Sequence, residues 1–223
     1  SLGLGLSNTA GSTVAAAALG FAERSVFVDS ISQWRAEFEP GNLPEGLLAH
    51  IVQDEFPESA TDRVRYPASA VVTAPLLWPD EVRPATDERR GVLVHTGGMI
   101  SPTAGMDLVS VITSDLIAPI LASIAGYGHK VSLLGNADAF RGLPGTLEVN
   151  VLGSVSPASA FQAIGGAKLL ITTPGNGAMY EAMSKRTPLI LLPPMNSTQL
   201  QHYRVMTGQG IVGILGDPVR DAL

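Results

Sequence analysis

The sequence predicts an α/β protein built on parallel, doubly wound sheets. Eight short apolar runs along the chain are mostly near-continuous in Val, Ile and Leu. Such runs are typical of parallel strands that are buried on both faces. Helical patterns lie between several of these runs, and Gly-rich turns follow some of them. Strands that alternate with helices in this way imply crossover connections and a doubly wound sheet.

The elements follow one another in a regular order. The predicted strands cover residues 25–30, 70–74, 91–96, 129–134, 147–152, 168–173, 187–192 and 210–215. The predicted helices cover residues 8–19, 107–126, 156–167, 177–185 and 197–208.

One segment breaks this rhythm. Residues 77–90, LWPDEVRPATDERR, contain two prolines and a charge run without apolar periodicity. We interpret the segment as an interdomain linker, with a long surface loop as the alternative. Residues 91–223 then form one doubly wound domain with five or six strands. Residues 1–76 hold too few strands for a second complete domain, and we expect native sequence to be missing at both ends.

Composition narrows the function classes. The chain has 223 residues, 45% hydrophobic and 15% charged, and a net charge of -6. Because phosphate-backbone binding needs clustered Lys and Arg, this balance argues against a nucleic-acid partner. The chain has no Cys and only four scattered His, so we predict no metal site. We see no apolar run of about 18 residues, the length of a membrane span, and predict a soluble cytoplasmic protein. No pattern defines an oligomeric state.

The stretch TTPGNGAMYEAM, residues 172–183, is the strongest signal for a ligand site. A buried-looking strand ends there in a turn with little side chain, and a helix begins. Helix amide groups and the helix dipole would attract an anion, and Gly175 and Gly177 would let it approach the backbone. Asn176 would donate a hydrogen bond, and Glu181 would reach a ribose hydroxyl pair. The alternative is a tight turn in which the glycines serve geometry only.

Two further loops follow predicted strands. HTGG, residues 95–98, would bring the backbone of Thr96, Gly97 and Gly98 to a diphosphate. It matches neither a dinucleotide fingerprint nor a P-loop. In PPMNSTQLQHY, residues 193–203, Thr198 and Gln199 would bind sugar hydroxyls. The alternative is that the site has only a structural role, with Ser197 as the helix N-cap.

The order of these motifs resembles the donor-binding half of GT-B glycosyltransferases, over residues 91–216. The superfamily motif commonly reads His-Gly-Gly-x-Gly-Thr-x-x-Glu-Ala, of which this chain keeps Gly175, Gly177 and Glu181-Ala182. Thr173 stands at the His position, Pro174 replaces a Gly and Ala178 a Thr. In the later Pro-x-x-x-Asp-Gln-x-x-Asn motif, only Pro194 and Gln199 match.

The resemblance implies two Rossmann-like domains facing a cleft, the N-terminal one incomplete, and a nucleotide-sugar donor, with UDP the expected nucleotide. Residues 175–178 would hold its diphosphate, with Gly97 and Gly98 opposite. Glu181 would bind the ribose and Gln199 the transferred sugar. The implied donor-binding residues are Gly97, Gly98, Ser154, Val155, Thr173, Gly175, Asn176, Gly177, Ala178, Glu181, Thr198 and Gln199. Ser154 and Val155 would contact the base.

The region before the linker is similar to cytosylglucuronate-synthase-like proteins in its VFVDS…W run. That similarity implies UDP-glucuronic acid as donor and a pyrimidine base as acceptor, in nucleoside-antibiotic biosynthesis. Asp29 would be the general base, with a helix or turn cap as the alternative. Asn8 and Thr9 would position the acceptor and Trp34 would stack on it, or pack in a core. Neither a cofactor nor a metal is implied. The alternatives are a UDP-sugar 2-epimerase and a non-catalytic binding subunit.

Overall fold

The computed structural model describes residues 5–7, 19–30, 46–53, 70–73, 88–97, 106–195, 197–208 and 213–214. The chain divides into two compact units, Ser1–Leu76 and Leu77–Leu223. The predicted linker begins where the second unit begins. Most of that linker lies outside the described residues, so its role stays a prediction.

The first unit contains a four-stranded, fully parallel sheet in the order β1-β2-β3-β4. Its strands are β1 (Gly5–Ser7), β2 (Ser25–Ser30), β3 (Ala49–Gln53) and β4 (Ala70–Thr73). Phe27 is fully buried in β2, and its ring centroid lies 5.3 Å from that of His50 in β3. The sequence prediction found β2 and β4 but missed β1 and β3. Most of the predicted helix at residues 8–19 lies outside the described residues.

The second unit contains a six-stranded parallel sheet in the order β10-β9-β8-β5-β6-β7. All of its pairings are parallel, which confirms the predicted fold class. The strands are β5 (Val92–His95), β6 (Val131–Leu134), β7 (Val149–Gly153), β8 (Leu169–Thr172), β9 (Leu189–Leu191) and β10 (Gly213–Ile214). Each corresponds to a predicted strand.

Five α-helices connect these strands within the described ranges. They are α1 (Met106–Ile112), α2 (Ala118–Gly126), α3 (Pro157–Gly166), α4 (Asn176–Ser184) and α5 (Ser197–Gly208). A π-helical turn, Thr113–Ile117, joins α1 to α2 and makes them one continuous crossover. Pro119 explains this turn, because proline has no amide hydrogen and its ring crowds the carbonyl four residues earlier.

The helices cover both faces of the second sheet, and the alternation along β5 shows how. Val92 and Val94 pack on one face in a cluster that includes Ile117 and Leu121 from the crossover helix. Leu93 packs on the opposite face in a cluster that takes in residues of α3 and α4, including Ile164, Ala178 and Ala182. Successive side chains of a strand point to opposite faces, so one strand anchors both layers.

The crossover helix corrects one expectation. Val109–Gly126 is, by length and composition alone, long and apolar enough to span a membrane, whereas the sequence prediction saw no such run. Its residues Ile117 and Leu121 are buried against the sheet, and it connects the parallel strands β5 and β6. A core helix meets the same criterion of length and composition.

Helix α4 ends in a fully hydrogen-bonded C-terminal turn. The amide of Thr187 donates to Ala182 O (2.8 Å), and that of Arg186 donates to Met183 O (3.0 Å). This pair of bonds is a Schellman motif, in which one residue adopts the left-handed conformation. That residue is Arg186, with φ 52°. The Arg89 guanidinium also donates to Lys185 O (2.5 Å) and Arg186 O (2.7 Å).

We predict that Arg186→Gly stabilises the protein. Glycine adopts a positive φ without steric cost, so the free energy of unfolding should rise by roughly 0.5 to 1 kcal/mol. Urea unfolding followed by far-UV circular dichroism measures the change. Ser184→Gly, two residues earlier at the last helical position, is the matched control and should lower stability. A loss of stability in Arg186→Gly would contradict the prediction.

Candidate functional site

The strand order of the second sheet reverses between β5 and β8. The chain runs from β5 to β6 and β7 on one side, and from β8 to β9 and β10 on the other. In open α/β sheets, ligands bind beyond the carboxyl ends of the strands at such a switch point. The loops after β5 and β8 are HTGG and TTPGNG, the two Gly-rich loops singled out in the sequence.

Hydrogen bonds hold these two loops together. The hydroxyl of Thr173 donates to Gly97 O (2.7 Å). Beneath it, His95 Nδ1 lies 3.1 Å from Thr172 Oγ1. Thr173 is fully buried and its proton is used by Gly97, so its side chain joins the loops. The sequence placed Thr173 among the donor-binding groups, and the structure gives it this supporting contact.

The N-terminus of α4 is open. Its N-cap is Gly175, and no side chain among the described residues caps it. The first helical bond runs from Met179 N to Gly175 O (3.2 Å), so the amides of residues 176–178 precede the intrahelical ladder. A Cβ atom added at Gly177 would meet nothing within 4 Å. In the part of the chain that the structure describes, these amides have no partner, and the position of Gly177 beside them has open space.

Asn176 and Ala178 complete this helix end. The side-chain oxygen Oδ1 of Asn176 is buried and has no hydrogen-bond partner among the described residues. Ala178 is buried, and its side chain packs into the core beside α3. Ala178 would therefore offer a ligand only its backbone; the sequence placed it among the residues predicted to hold the diphosphate.

Gly97 is needed for a close contact with His95. A Cβ atom at this position would lie 2.4 Å from Cε1 and 2.8 Å from Nε2 of the imidazole ring. The sequence gave Gly97 a role in approaching the ligand, and the structure adds a packing reason for the same residue. Gly98 lies outside the described residues.

Helix α5 supports the turn after β8. His202 is buried, and its Nδ1 lies 3.0 Å from Pro174 O, so this nitrogen carries the hydrogen and donates it. Burial lowers the pKa of His202, while the bond to Pro174 opposes that shift. Gln199 is also buried, and its Oε1 accepts a hydrogen bond from Met195 N (2.8 Å). That bond gives Gln199 a structural task beside the sugar contact predicted for it. Thr198 is in the first turn of α5, but its side chain is not described.

Glu181 is half-buried on α4, five residues after Asn176. At 1.5 Å per residue, about 7.5 Å of helix separates the two positions. Burial raises the pKa of its carboxyl group above the usual value. Among the described residues, no ion pair or side-chain hydrogen bond engages this carboxylate, so its oxygens are available to accept hydrogen bonds from hydroxyl groups.

Ser154 and Val155 follow β7 and are exposed, with 38% of the Val155 surface accessible. Since β7 lies two strands from β5, roughly 10 Å separates their ends. Asp29, the predicted general base, lies near the end of β2, but its side chain is not described. The predicted contacts Asn8, Thr9 and Trp34 lie outside the described residues.

Within the described ranges, no group of three or more His, Asp or Glu side chains is placed to hold a metal ion.

Comparisons with known proteins identify the fold. No protein-family model matches the chain, and no curated protein matches it. Among solved structures, UGT2 of Phytolacca americana, complexed with UDP-2-fluoro-glucose and pterostilbene, is similar at a TM-score of 0.56 and 12% identity over 95% of this chain. UGT89C1 of Arabidopsis thaliana is similar at a TM-score of 0.60 and 14% identity over 95% of this chain. The glycosyltransferase SnogD of Streptomyces nogalater is similar at a TM-score of 0.50 and 17% identity over 92% of this chain.

These matches show that the chain has the fold of GT-B glycosyltransferases, as the sequence motifs indicated. The chain spans 61%, 57% and 64% of the lengths of UGT2, UGT89C1 and SnogD.

The half-buried imidazole of His95 predicts a pH-dependent stability. Burial lowers the pKa of His95 from 6.5 to about 4. The unfolded chain therefore binds more protons than the folded chain between these values, and stability falls as the pH falls through this window. From pH 7 to pH 5 the free energy of unfolding should drop by roughly 2 kcal/mol on this account.

Urea unfolding of the wild type and of His95→Asn at both pH values checks this. The difference in the free energy of unfolding between pH 7 and pH 5 should be smaller in the variant. Both proteins keep His202 and Glu181, so the titration of these two groups contributes to both measurements. Equal differences in the two proteins would show that His95 titrates normally.

Proposed function

We propose that this chain binds a nucleotide sugar, with UDP as the nucleotide, at the carboxyl edge of its second sheet and transfers the sugar to a small-molecule acceptor. The observation that carries the proposal is the open N-terminus of α4 at the switch point between β5 and β8. The GT-B fold supports it, because the neighbours with this fold include UGT2 with a bound UDP-sugar analogue.

The chemistry at the helix end suits a pyrophosphate. The amides of residues 176–178 present unpaired donors, and the helix dipole adds about half a positive charge there. Glycosyl transfer breaks the bond between the sugar and the diphosphate, and negative charge develops on the departing group. Preorganised amide donors stabilise that charge without needing a metal ion. We therefore propose a metal-independent hexosyltransferase with no cofactor beyond the sugar nucleotide.

The remaining donor contacts follow from position. The carboxylate of Glu181, which no described side chain engages, would accept hydrogen bonds from the ribose hydroxyls. The backbone at Ser154 and Val155, exposed beside the sheet edge, would contact the base. Thr198, Gln199 and Gly98 complete the proposed set, with Gln199 acting through groups other than its Oε1.

The acceptor half of the proposal is more specific. We propose UDP-glucuronic acid as donor and a pyrimidine base as acceptor, in nucleoside-antibiotic biosynthesis in the cytoplasm. Asp29 would take the proton from the attacking acceptor atom as the new bond to the sugar forms. Asn8 and Thr9 would orient the acceptor, and Trp34 would stack on its ring.

Gly177→Asp tests the proposed site. The open space at Gly177 accommodates a side chain, and an aspartate in the first helical turn interacts favourably with the helix dipole. The variant should therefore be at least as stable as the wild type. The same charge repels a diphosphate. We expect UDP affinity to fall 10-fold or more in calorimetric titration, and UDP should no longer raise the melting temperature.

Gly177→Asn is the matched control, since it has almost the same shape without the charge and should lose much less affinity. If Gly177→Asp binds UDP as the wild type does, the diphosphate does not sit at this helix end. Release of UDP from UDP-glucuronic acid upon addition of cytosine then separates a transferase from a binding protein.

A further inference from the structure

The His95 side chain lies at the switch point and has no role in the function proposed so far. It is the last residue of β5, and it pairs in register with Thr172, the last residue of β8. Its Nδ1 lies 3.1 Å from Thr172 Oγ1. The imidazole is therefore fixed by its neighbour in the sheet at the edge where the two Gly-rich loops begin.

The hydrogen bonds of Thr172 define which ring nitrogen of His95 carries the hydrogen. Thr172 is fully buried, and its hydroxyl donates to Thr173 O at 3.1 Å. A hydroxyl has one hydrogen to donate, so towards His95 it accepts. Nδ1 of His95 is thus the protonated nitrogen, and Nε2 bears a lone pair. Burial keeps the ring neutral at pH 7, because it lowers the pKa of His95 to about 4.

The Nε2 atom lies beside the HTGG turn. A Cβ atom at Gly97 would come within 2.8 Å of it, so the glycine leaves room against the ring. Among the described residues, Nε2 has no hydrogen-bond partner, and it is not one of the fully enclosed polar atoms. The ring therefore presents a hydrogen-bond acceptor to whatever occupies the switch point.

We propose that His95 is a donor-recognition residue whose Nε2 accepts a hydrogen bond from a hydroxyl group of the bound nucleotide sugar. This inference rests on the proposed function. Phosphate oxygens carry no hydrogen when ionised, so a neutral Nε2 has nothing to gain from the diphosphate itself. Hydroxyl hydrogens come from two sources, the ribose and the transferred sugar, and the experiment separates them.

Two substitutions separate the roles of the two imidazole nitrogens. In His95→Asn the amide nitrogen takes the place of Nδ1 and keeps the bond to Thr172, while the Nε2 acceptor is lost. In His95→Gln the amide group reaches the place of Nε2 and supplies an acceptor there. Calorimetric titration of the wild type and both variants with UDP and with UDP-glucose then measures how much the Nε2 contact contributes to affinity.

If the hydroxyl belongs to the transferred sugar, His95→Asn should bind UDP-glucose 5- to 10-fold more weakly than the wild type and bind UDP equally well. His95→Gln should bind both ligands with nearly wild-type affinity. For a ribose hydroxyl, both ligands should weaken equally in His95→Asn. Wild-type affinity of His95→Asn for both ligands would overturn the inference. Failure of the wild type to bind UDP would instead overturn the proposed function.

The hydrogen position has a test that needs no ligand. Nitrogen-15 NMR of the imidazole at pH 7 should show the hydrogen on Nδ1 in the wild type, and Thr172→Val should abolish this preference. A wild-type spectrum with the hydrogen on Nε2 would overturn the inference even if the variants failed to fold.

Discussion

The parallel pairing of β5 with β8 is the constraint on which the site depends. Their register places His95 opposite Thr172, so the two loops that follow begin at the same level. Only then can Thr173 reach Gly97 O, and only then does the imidazole meet the Thr172 hydroxyl. A slip of one residue would turn Thr172 to the other face of the sheet and remove both contacts.

Helix α4 carries this constraint to the ligand. Its carboxyl end is satisfied twice, by the Schellman turn around Arg186 and by the guanidinium of Arg89. Its amino end has no side-chain cap among the described residues. Because donors left unpaired beside open space favour an anion, the helix is closed at one end and available at the other. His202 fixes the turn between β8 and α4 through Pro174, so the available amides are held in place before a ligand arrives.

The strands of the second sheet were predictable because burial on both faces demands Val, Ile and Leu in continuous runs. Strand β3 was not, since its buried His50 is accommodated by Phe27 from another strand, a contact that no local pattern encodes. The glycine turn at α4 was predictable because it works through backbone. The structural contacts of Thr173 and Gln199 were not, since each depends on a partner from another part of the chain, and the contact between His95 and Thr172 was not predictable for the same reason.

The central claim is that the first-turn amides of α4 bind a pyrophosphate. Backbone amide NMR of the nitrogen-15-labelled chain, titrated with UDP, tests it most directly. The account predicts that the largest shift changes fall on Asn176, Gly177 and Ala178, since amide hydrogens respond strongly to a new charged acceptor. Saturable shifts confined to other parts of the chain, with these three amides unmoved, would contradict it.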